Sequence, residues 1–546
     1  MTEVDKPSSA NVPVWALCLL FLLYALPGTL GHGPWRGDDG TYFGVVEEML
    51  RSGQWLYPAI AGQPFLDNPP LYYWVAAIFG KLFGGFMPLP DAIRLASPLC
   101  VAITLYCVAR CARRFYGGQA DRAAVLLGIG LLGLLTHAHE IQPQLGLLAC
   151  SAATFLGFAE FLDRPRRGAV IAGVSIGLAF LSAGLPALAL LMPLWAVLPG
   201  LCPECRKPGV GRELLLGAVI ALAVCLTWPL VLHFTHPGIA AAWWAQELND
   251  ISLHTGHLGR ANELLQLFAW FMWPLWPIAG WAIWRERRNL RQTRFLLPLA
   301  SLILAILLVV ATGPLRPAYA LPLVPPLILL AAAGLPTLKR GAASFLDWFG
   351  RMSMLSIGVF LWLAWYAQHF GWPAPIARNV ARLVPEFVPH FSWFAFVVGI
   401  LLTIGWVLLV IRPPRSPLRV AMSWATGVTF VWTFASLLFG DFVDRDKRYD
   451  EIAASLKTAI ESHPHTCVAS SGLGSSQVAA FAWLEQLHFQ PVGAAATPCE
   501  WLLVYRSGRE SALEPGDGWT RRWHLERSRR RTAEVLVLYR RDLDNH

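Results

Sequence analysis

Long runs of apolar residues, separated by short polar loops, make up most of the chain. Each run approaches the roughly 20 residues that an α-helix needs to cross the hydrocarbon core of a bilayer. Thirteen runs have this character, and the pattern therefore predicts a polytopic α-helical membrane protein with about 13 transmembrane helices. The runs are 13–31, 91–111, 123–137, 143–162, 169–183, 185–200, 213–234, 264–284, 295–312, 319–337, 352–371, 393–411 and 419–440.

Two longer polar regions interrupt this pattern. Within 32–90, the apolar spacing predicts helices at 41–52 and 71–83 that lie along the membrane surface. Residues 441–546 combine helical periodicity with short β-branched and aromatic runs, which predicts a compact α/β domain. We therefore predict a transmembrane domain at 1–440, which includes the loop 32–90, and a small C-terminal α/β domain at 441–546.

Basic residues are distributed unevenly between the loops. Arg and Lys cluster in alternate loops, whereas two of the intervening loops, 137–142 and 235–259, contain none. Positively charged short loops remain in the cytoplasm. We therefore predict a cytoplasmic N-terminus, with the loop 32–90 and the region 441–546 on the outer side of the membrane.

Composition supports the same class of protein. The 546 residues are 55% hydrophobic and 14% charged, with a mean hydropathy of +0.47, whereas soluble domains are about a quarter charged. The net charge of +9 at pH 7 is explained by the basic loops. Membrane lipids are therefore predicted partners, and nucleic acid is not.

Two of the 10 cysteines lie in the region that is predicted to be outside, where disulfides can persist. Cys467 and Cys499 each adjoin a predicted strand. We predict that they form a disulfide.

Carboxylates at the membrane edge are the first candidates for chemistry, because charges there are costly unless they have a function. Sugar transfer from a lipid phosphate needs a carboxylate to accept the acceptor's proton and donors or cations to stabilise the departing phosphate. Asp38 and Asp39 suit the first task, and Asp67 lies one loop further on. Arg316, close to Tyr319, suits the second.

The loop 32–90 resembles the first outer loop of the family 39 glycosyltransferases. This family includes the dolichyl-phosphate-mannose-protein mannosyltransferases and the bacterial lipid A aminoarabinose transferases, and the loop is more similar to the second group. The motifs that carry the resemblance are Asp38-Asp39-Gly40-Thr41-Tyr42, Glu48-Met49-Leu50-x-Ser52-Gly53-x-Trp55-x-x-Pro58 and Asp67-x-Pro69-Pro70-Leu71-x-Tyr73-Trp74.

The resemblance implies a GT-C fold and a glycosyltransferase of the cell inner membrane. Such an enzyme moves a hexose or pentose from a polyprenyl-phosphate sugar donor to a lipid A-like or other envelope acceptor on the periplasmic face. It implies that Asp38 is the catalytic carboxylate and Asp39 its acidic partner in catalysis. The substrate-binding residues would be Tyr42, Asp67, Asn68, Arg316 and Tyr319.

The chain departs from the family pattern at two basic positions. Asn68 occupies the position of a lysine that precedes the Pro-Pro pair, and Ala183 that of the lysine in a Thr-Lys-Gly motif. Two donor-phosphate cations are therefore missing, which leaves the identity of the sugar and of the acceptor open.

A divalent metal is a further candidate ligand, although no cofactor is required by the pattern. The alternative, that histidines at helix ends only meet the membrane interface, stays open. The candidate metal ligands are Asp67, His137, His139, Glu140, His254 and His257.

Two other classes of function remain as alternatives. A transporter of lipid-linked sugars would be expected to show inverted repeats and charges at the membrane midplane, and no repeat is visible. A non-catalytic scaffold would leave Asp38, Asp39 and Asp67 without a role.

Overall fold

The computed structural model divides into two units by its contacts. One consists of Met1–His32 and Leu66–Arg445, and is here called the membrane unit. The other consists of Gly33–Phe65 and Asp446–His546, and is here called the α/β unit. The structure describes residues 12–206, 209–250, 261–312, 317–384, 387–412, 418–463, 466–491, 499–507, 518–527 and 534–541.

The chain is predominantly helical, as the apolar pattern predicts. Short 3₁₀ or π turns lie at Pro203–Cys205, Leu267–Phe271, Pro317–Leu323 and Leu335–Thr337. The α-helices are, in chain order, α1 Val14–Ala25, α2 Asp38–Ser52, α3 Leu71–Phe83, α4 Leu89–Arg94, α5 Ala96–Tyr116, α6 Ala120–Ile129, α7 Leu132–His137, α8 Gln144–Asp163, α9 Pro165–Ala183, α10 Leu185–Leu201, α11 Val210–Thr235, α12 Pro237–Asp250, α13 Ala261–Gln266, α14 Leu275–Arg285, α15 Thr293–Thr312, α16 Val324–Gly334, α17 Arg340–Phe370, α18 Ala374–Leu383, α19 Trp393–Ile411, α20 Arg419–Lys447, α21 Asp450–Glu461 and α22 Ser475–Glu485.

Within the described residues, 9 helices are long and apolar enough to cross a membrane. Three shorter apolar helices, α1, α3 and α10, accompany them. The prediction of a polytopic helical membrane protein is therefore confirmed, while the number thirteen stays a prediction. The 9 candidate spans are Leu89–Tyr116, Gln144–Asp163, Pro165–Ala183, Val210–Thr235, Thr293–Ala311, Ala318–Thr337, Arg340–Phe370, Trp393–Ile411 and Arg419–Glu461.

Small residues allow the helices of the membrane unit to approach closely, as in other helical membrane proteins. A Cβ added to Gly157 of α8 would lie 2.6 Å from the backbone nitrogen of Ala172 in α9. On another face of α9, a Cβ at Gly177 would lie 2.4 Å from Cβ of Val224 in α11. Helices α8, α9 and α11 therefore form a tightly packed group whose spacing tolerates no larger side chain at these glycines.

The α/β unit contains a five-stranded sheet with the order β4-β3-β5-β7-β6. Strand β3 is parallel to β4 and β5, whereas β7 is antiparallel to both β5 and β6. A core that includes Leu456, Phe481, Trp501 and Leu538 joins the sheet to α21 and α22. The strands are β1 Ala59–Ile60, β2 Gln63–Pro64, β3 Val468–Ser471, β4 Phe489–Pro491, β5 Trp501–Ser507, β6 Trp519–Arg527 and β7 Glu534–Arg541.

Helix α2 belongs to the α/β unit, and this differs from the domain boundaries drawn from the sequence. Phe43 of α2 packs edge-on against Trp483 of α22, with ring centroids 5.1 Å apart. A Cβ at Gly44 would lie 2.4 Å from Cβ of Ala479. The segment 33–65 therefore groups with the C-terminal residues instead of with 1–440, because α2 uses its apolar side to pack on α22.

The second face of α2 is buried as well. Val45 and Val46 are buried, and so are the acidic residues Glu47 and Glu48. Arg51 forms ion pairs with both carboxylates, at 3.4 Å and 2.5 Å. The helix is thus buried on two sides, and its predicted position along the membrane surface stays a prediction.

The predicted disulfide is confirmed. Cys467 and Cys499 are bonded, with their Cα atoms 5.0 Å apart. Cys467 immediately precedes β3, and Cys499 lies two residues before β5. The first residues of these parallel strands, Val468 and Trp501, are paired in register. The bond therefore fastens the beginnings of two neighbouring strands.

Candidate functional site

A tight turn before α2 presents the acidic pair. Gly37 has φ 96°, in the region that favours glycine, and its N–H donates to Ser476 Oγ at 2.9 Å. The N–H of Gly40 donates to the carbonyl oxygen of Trp35 at 2.7 Å. A Cβ at Gly40 would lie 2.6 Å from that oxygen, so glycine is needed for this close approach. Gly37 and Gly40 thus fix the backbone before and after the two carboxylates.

The two carboxylates have different surroundings. Asp38 is exposed at the first position of α2. Asp39 is 1% exposed, and its Oδ2 accepts a hydrogen bond from the N–H of Trp35 at 2.9 Å. Asp38 is therefore accessible to solvent, whereas Asp39 stabilises the turn that precedes the helix.

The sequence did not reveal the anchor of this turn, Arg36. Its guanidinium lies 3.2 Å from a Glu534 carboxylate oxygen and 3.8 Å from Asp446. Glu534 also accepts hydrogen bonds from the hydroxyls of Tyr449 and Tyr505, each at 3.3 Å. Burial, followed by the nearby Glu534 charge, raises the pKa of Tyr449. Residues almost 500 positions apart meet here, so no local pattern could have indicated the contact.

Tyr42 lies one helical turn after Asp38 but is buried, and its ring packs edge-on against Phe65 with centroids 6.3 Å apart. Packing explains the position of Tyr42, and its predicted role in substrate binding stays a prediction.

Further along α2, burial raises the pKa of Glu47. The positive charge of Arg51 opposes this shift, and the negative charge of Glu48 adds to it.

In the membrane unit, the motif that begins at Asp67 contains an exposed acid followed by a buried amide. Asp67 is exposed and accepts a hydrogen bond from Gln246 Nε2 at 3.1 Å. Asn68 is 4% exposed, and its Oδ1 accepts a hydrogen bond from Gln144 Nε2 at 3.1 Å. Among the described residues, Asn68 Nδ2 is buried without a hydrogen-bond partner. A buried donor of this kind is normally satisfied, which makes Asn68 Nδ2 a candidate hydrogen-bond donor to a ligand.

The loop between α7 and α8 is held by hydrogen bonds from residues that are distant in sequence. Ser97 Oγ lies 2.6 Å from both the Tyr72 hydroxyl and the carbonyl oxygen of Glu140. The same Tyr72 oxygen accepts a hydrogen bond from the N–H of Gln142 at 3.1 Å. Helices α3 and α5 therefore hold the loop that carries the histidine and glutamate candidates.

The metal candidates in this loop point in different directions. His137 Nδ1 lies 3.9 Å from a Glu140 carboxylate oxygen. Both ring nitrogens of His139 face backbone carbonyls, Leu135 at 2.5 Å and Tyr24 at 2.6 Å, so His139 has no nitrogen left for a metal. The part of the chain that the structure describes contains no group of three or more His, Cys, Asp or Glu side chains able to hold a metal.

Three predicted site residues, His254, His257 and Arg316, lie outside the described residues. Tyr319 is described, and it lies exposed in the turn Pro317–Leu323. The structure thus brings Asp38, Asp39 and Tyr42 onto one turn of α2, and it places Asp67 and Asn68 side by side in the membrane unit.

An additional carboxylate, which the sequence gave no reason to select, lies at the second departure from the family pattern. Glu247 of α12 is 4% exposed, and its Oε2 accepts a hydrogen bond from the N–H of Leu185 at 2.7 Å. A Cβ at Gly184 would lie 2.1 Å from the Glu247 carboxylate oxygens. The beginning of α10, next to Ala183, is therefore occupied by a carboxyl group.

Comparison with known proteins identifies the fold. Residues 67–230 match the family described as dolichyl-phosphate-mannose-protein mannosyltransferase. Crystal structures of ArnT from Cupriavidus metallidurans, in the apo state and bound to undecaprenyl phosphate, both superpose with a TM-score of 0.66 at 18% and 19% identity. Each alignment covers 96% of this chain and 97% of ArnT.

Curated relatives match over a shorter length. The chain is 29% identical over 240 residues to undecaprenyl phosphate-alpha-4-amino-4-deoxy-L-arabinose arabinosyl transferase 1 of Pseudomonas fluorescens strain Pf0-1, covering 42% of this chain and 41% of the relative. It is 30% identical over 242 residues to transferase 2 of strain Pf-5, covering 42% and 40%. The chain thus matches about two fifths of the length of these relatives. The chain therefore has the fold of ArnT, and over part of its length it is similar to these arabinosyl transferases and to the mannosyltransferase family.

Proposed function

We propose that the protein is a membrane glycosyltransferase that moves a sugar from a polyprenyl-phosphate donor to a lipid A-like or other envelope acceptor. The observation that carries this proposal is the paired arrangement of an exposed Asp38 and a buried, hydrogen-bonded Asp39 at the beginning of α2. The curated relatives are named as arabinosyl transferases of undecaprenyl phosphate-alpha-4-amino-4-deoxy-L-arabinose, and these names support the choice of donor class.

In the proposed reaction, Asp38 accepts the proton of the acceptor hydroxyl as that oxygen attacks the anomeric carbon. The bond between the anomeric carbon and the phosphate oxygen breaks, and the polyprenyl phosphate leaves with the bonding electrons. One displacement of this kind inverts the anomeric configuration. Asp39 positions the turn, and its own carboxylate stays hydrogen-bonded to Trp35.

Donor binding is assigned to polar groups of the membrane unit. Asn68 Nδ2, buried and without a partner among the described residues, is proposed to donate to an oxygen of the donor. Asp67, held by Gln246, is proposed to accept from a sugar hydroxyl. Arg316 and Tyr319 are proposed to bind the phosphate, since an arginine fork matches phosphate oxygens and the usual lysines are replaced here.

The proposal extends to location. The protein would lie in the inner membrane with a cytoplasmic N-terminus and a periplasmic C-terminal domain, as the distribution of basic loops indicates. A divalent metal near His137 and Glu140 remains a candidate, but the described residues offer only these two neighbouring side chains. No step of the proposed reaction passes through a metal.

Replacement of Asp38 by Asn tests the function directly. The amide keeps the shape of the side chain but cannot accept the proton, so transfer by the purified protein should fall by about 10²–10⁴-fold. Asp39→Asn retains an oxygen acceptor for the Trp35 N–H and should reduce transfer less. Near-normal turnover of Asp38→Asn, in a protein that unfolds at the same temperature as the wild type, would refute the assignment.

The sugar and the acceptor require a separate experiment. Mass spectrometry of lipid A and other envelope glycans, with and without the gene, should show one glycosyl residue lost from a single acceptor class. Unchanged glycans in cells that are shown to express the protein would contradict an envelope acceptor.

A further inference from the structure

An open surface cavity of about 780 Å³ lies where α8 ends and α9 begins. Its basic lining residues are Arg164, Arg166 and Arg167, and its apolar lining residues are Val170 and Ile171, with Pro165 between them. Helix α9 is one of the candidate membrane spans, Pro165–Ala183. The cavity therefore lies at the polar end of a span, where phospholipid headgroups are found.

The acids near this cavity are already engaged by another arginine. Arg114 of α5 lies 3.0 Å from Glu160 and also pairs with Asp163. Arg167 is 3.9 Å from Glu160. Among the described residues, Arg164 and Arg166 have no acidic partner, so four arginines against two carboxylates leave two positive charges. These charges are therefore available to an anion from outside the chain.

An apolar stripe continues from the basic cluster along α9. Val170 and Val174 are 40% and 36% exposed and follow Arg166 at intervals of four residues. Positions four apart share one helix face. On a span, an exposed apolar face meets acyl chains. The same face thus presents cations at its end and apolar side chains behind them.

We propose that this surface binds an anionic phospholipid. The headgroup phosphate lies against Arg164 and Arg166, with Arg167 beside it, and an acyl chain follows Val170 and Val174. Arginine suits phosphate oxygens because its planar fork donates two parallel hydrogen bonds. A soluble anion would use the arginines alone, and a zwitterionic lipid would carry a compensating positive charge, so the combination selects an anionic lipid. This inference does not depend on the proposed transferase activity.

Native mass spectrometry of the full chain, titrated with phosphatidylglycerol and with phosphatidylcholine of equal acyl length, tests the proposal. Phosphatidylglycerol should bind more tightly. Each basic residue near a membrane surface contributes about a fivefold preference for anionic lipid, so Arg164→Gln with Arg166→Gln should weaken phosphatidylglycerol binding by about 25-fold. The control, Arg288→Gln with Arg291→Gln, removes the same charge from another exposed basic loop and should change binding less than about twofold.

A second pair of measurements separates the headgroup from the acyl chain. Val170→Asn with Val174→Asn should weaken phosphatidylglycerol binding while both arginines remain. Glycerol 3-phosphate, which lacks acyl chains, should bind far more weakly than the lipid. Equal affinity for the two lipids, equal loss in both arginine double variants, or equal affinity for glycerol 3-phosphate and phosphatidylglycerol would each overturn the proposal.

Discussion

At the scale of single residues, an exposed polar residue is followed directly by a buried one at one place in each unit. Asp38 is exposed while its neighbour Asp39 is buried, and Asp67 is exposed while Asn68 is buried. In each pair the buried member has a hydrogen bond within its own unit. The buried member is therefore held in place by its own unit, and the exposed member is accessible to solvent.

Asn68→Ala and Gln144→Ala form a matched pair. Both remove the hydrogen bond between these two side chains, but only Asn68→Ala also removes the Nδ2 donor. A lost hydrogen bond to substrate is worth about 0.5–1.5 kcal/mol, which is up to about tenfold in affinity. We expect the KM for the lipid-linked donor to rise more in Asn68→Ala than in Gln144→Ala, as measured by steady-state kinetics. Equal changes in the two variants would show that Asn68 acts only through Gln144.

We expect the hydrogen bond from the N–H of Trp35 to Asp39 to contribute to the free energy of unfolding. Asp39→Ala leaves a buried N–H without an acceptor, which costs about 1–3 kcal/mol. Asp39→Asn keeps an acceptor and should cost less. Thermal unfolding of the purified variants measures the difference, and an Asp39→Ala protein as stable as the wild type would show that solvent satisfies the Trp35 N–H.

At the scale of secondary-structure elements, the beginnings of β3 and β5 are joined by two independent links. One is the Cys467–Cys499 disulfide. The other is Glu500, whose carboxylate accepts hydrogen bonds from the N–H and hydroxyl of Thr466 at 3.0–3.1 Å and from the N–H of Cys467 at 3.4 Å. Both links fix the register of two parallel strands that are far apart in sequence.

Removal of the disulfide should destabilise the α/β unit. The closed loop has a sequence separation of 32 residues, for which the chain-entropy relation gives about 3–4 kcal/mol. Cys467→Ala with Cys499→Ala should therefore lower the unfolding temperature of the α/β unit. Cys100→Ala, at a free cysteine of the membrane unit, provides the control. An unchanged unfolding profile in the double variant would contradict the expectation.

Glu500 should make stability depend on pH in the acid range. The N–H of Thr466, followed by the N–H of Glu500 itself and by smaller contributions from the Thr466 hydroxyl and the N–H of Cys467, lowers the pKa of Glu500 to about 2. A lowered pKa in the folded state stabilises the fold above the pKa of the unfolded state, about 4.3, and this stabilisation is lost as the pH falls towards 2. Wild type should exceed Glu500→Gln in unfolding temperature at pH 7, and the difference should shrink below about pH 4. A difference independent of pH would show that the charge is not responsible.

At the scale of the whole molecule, the basic loops predict the orientation of the chain. Alkaline phosphatase, active only in the periplasm, should be active when fused after residue 546 and inactive when inserted in the basic loop between α14 and α15. A fluorescent protein that folds only in the cytoplasm should show the opposite pattern at the same two positions. Activity of alkaline phosphatase in the α14–α15 loop would reverse the proposed orientation.

The sequence by itself determined the class of the molecule. Hydropathy and charge are properties of short segments, so apolar runs predicted the polytopic helical architecture, and the position of Cys467 and Cys499 predicted their bond, which is confirmed. The motif of the loop 32–90 predicted the GT-C fold, which the comparison with ArnT bears out. The roles of Asp38, Asp67 and the other site residues stay predictions.

Only the tertiary structure decided which surfaces meet. The grouping of 33–65 with the C-terminal residues, the contact of Arg36 with Glu534 and the capping of Leu185 by Glu247 all join positions far apart in the chain. The hydrophobic pattern of α2 identifies the side that must be buried, but many apolar surfaces would satisfy it. Shape selects among them: Gly44 fits against Ala479, and a hydrogen bond from Gly37 reaches Ser476. Such complementarity depends on both partners together and is therefore absent from either segment alone.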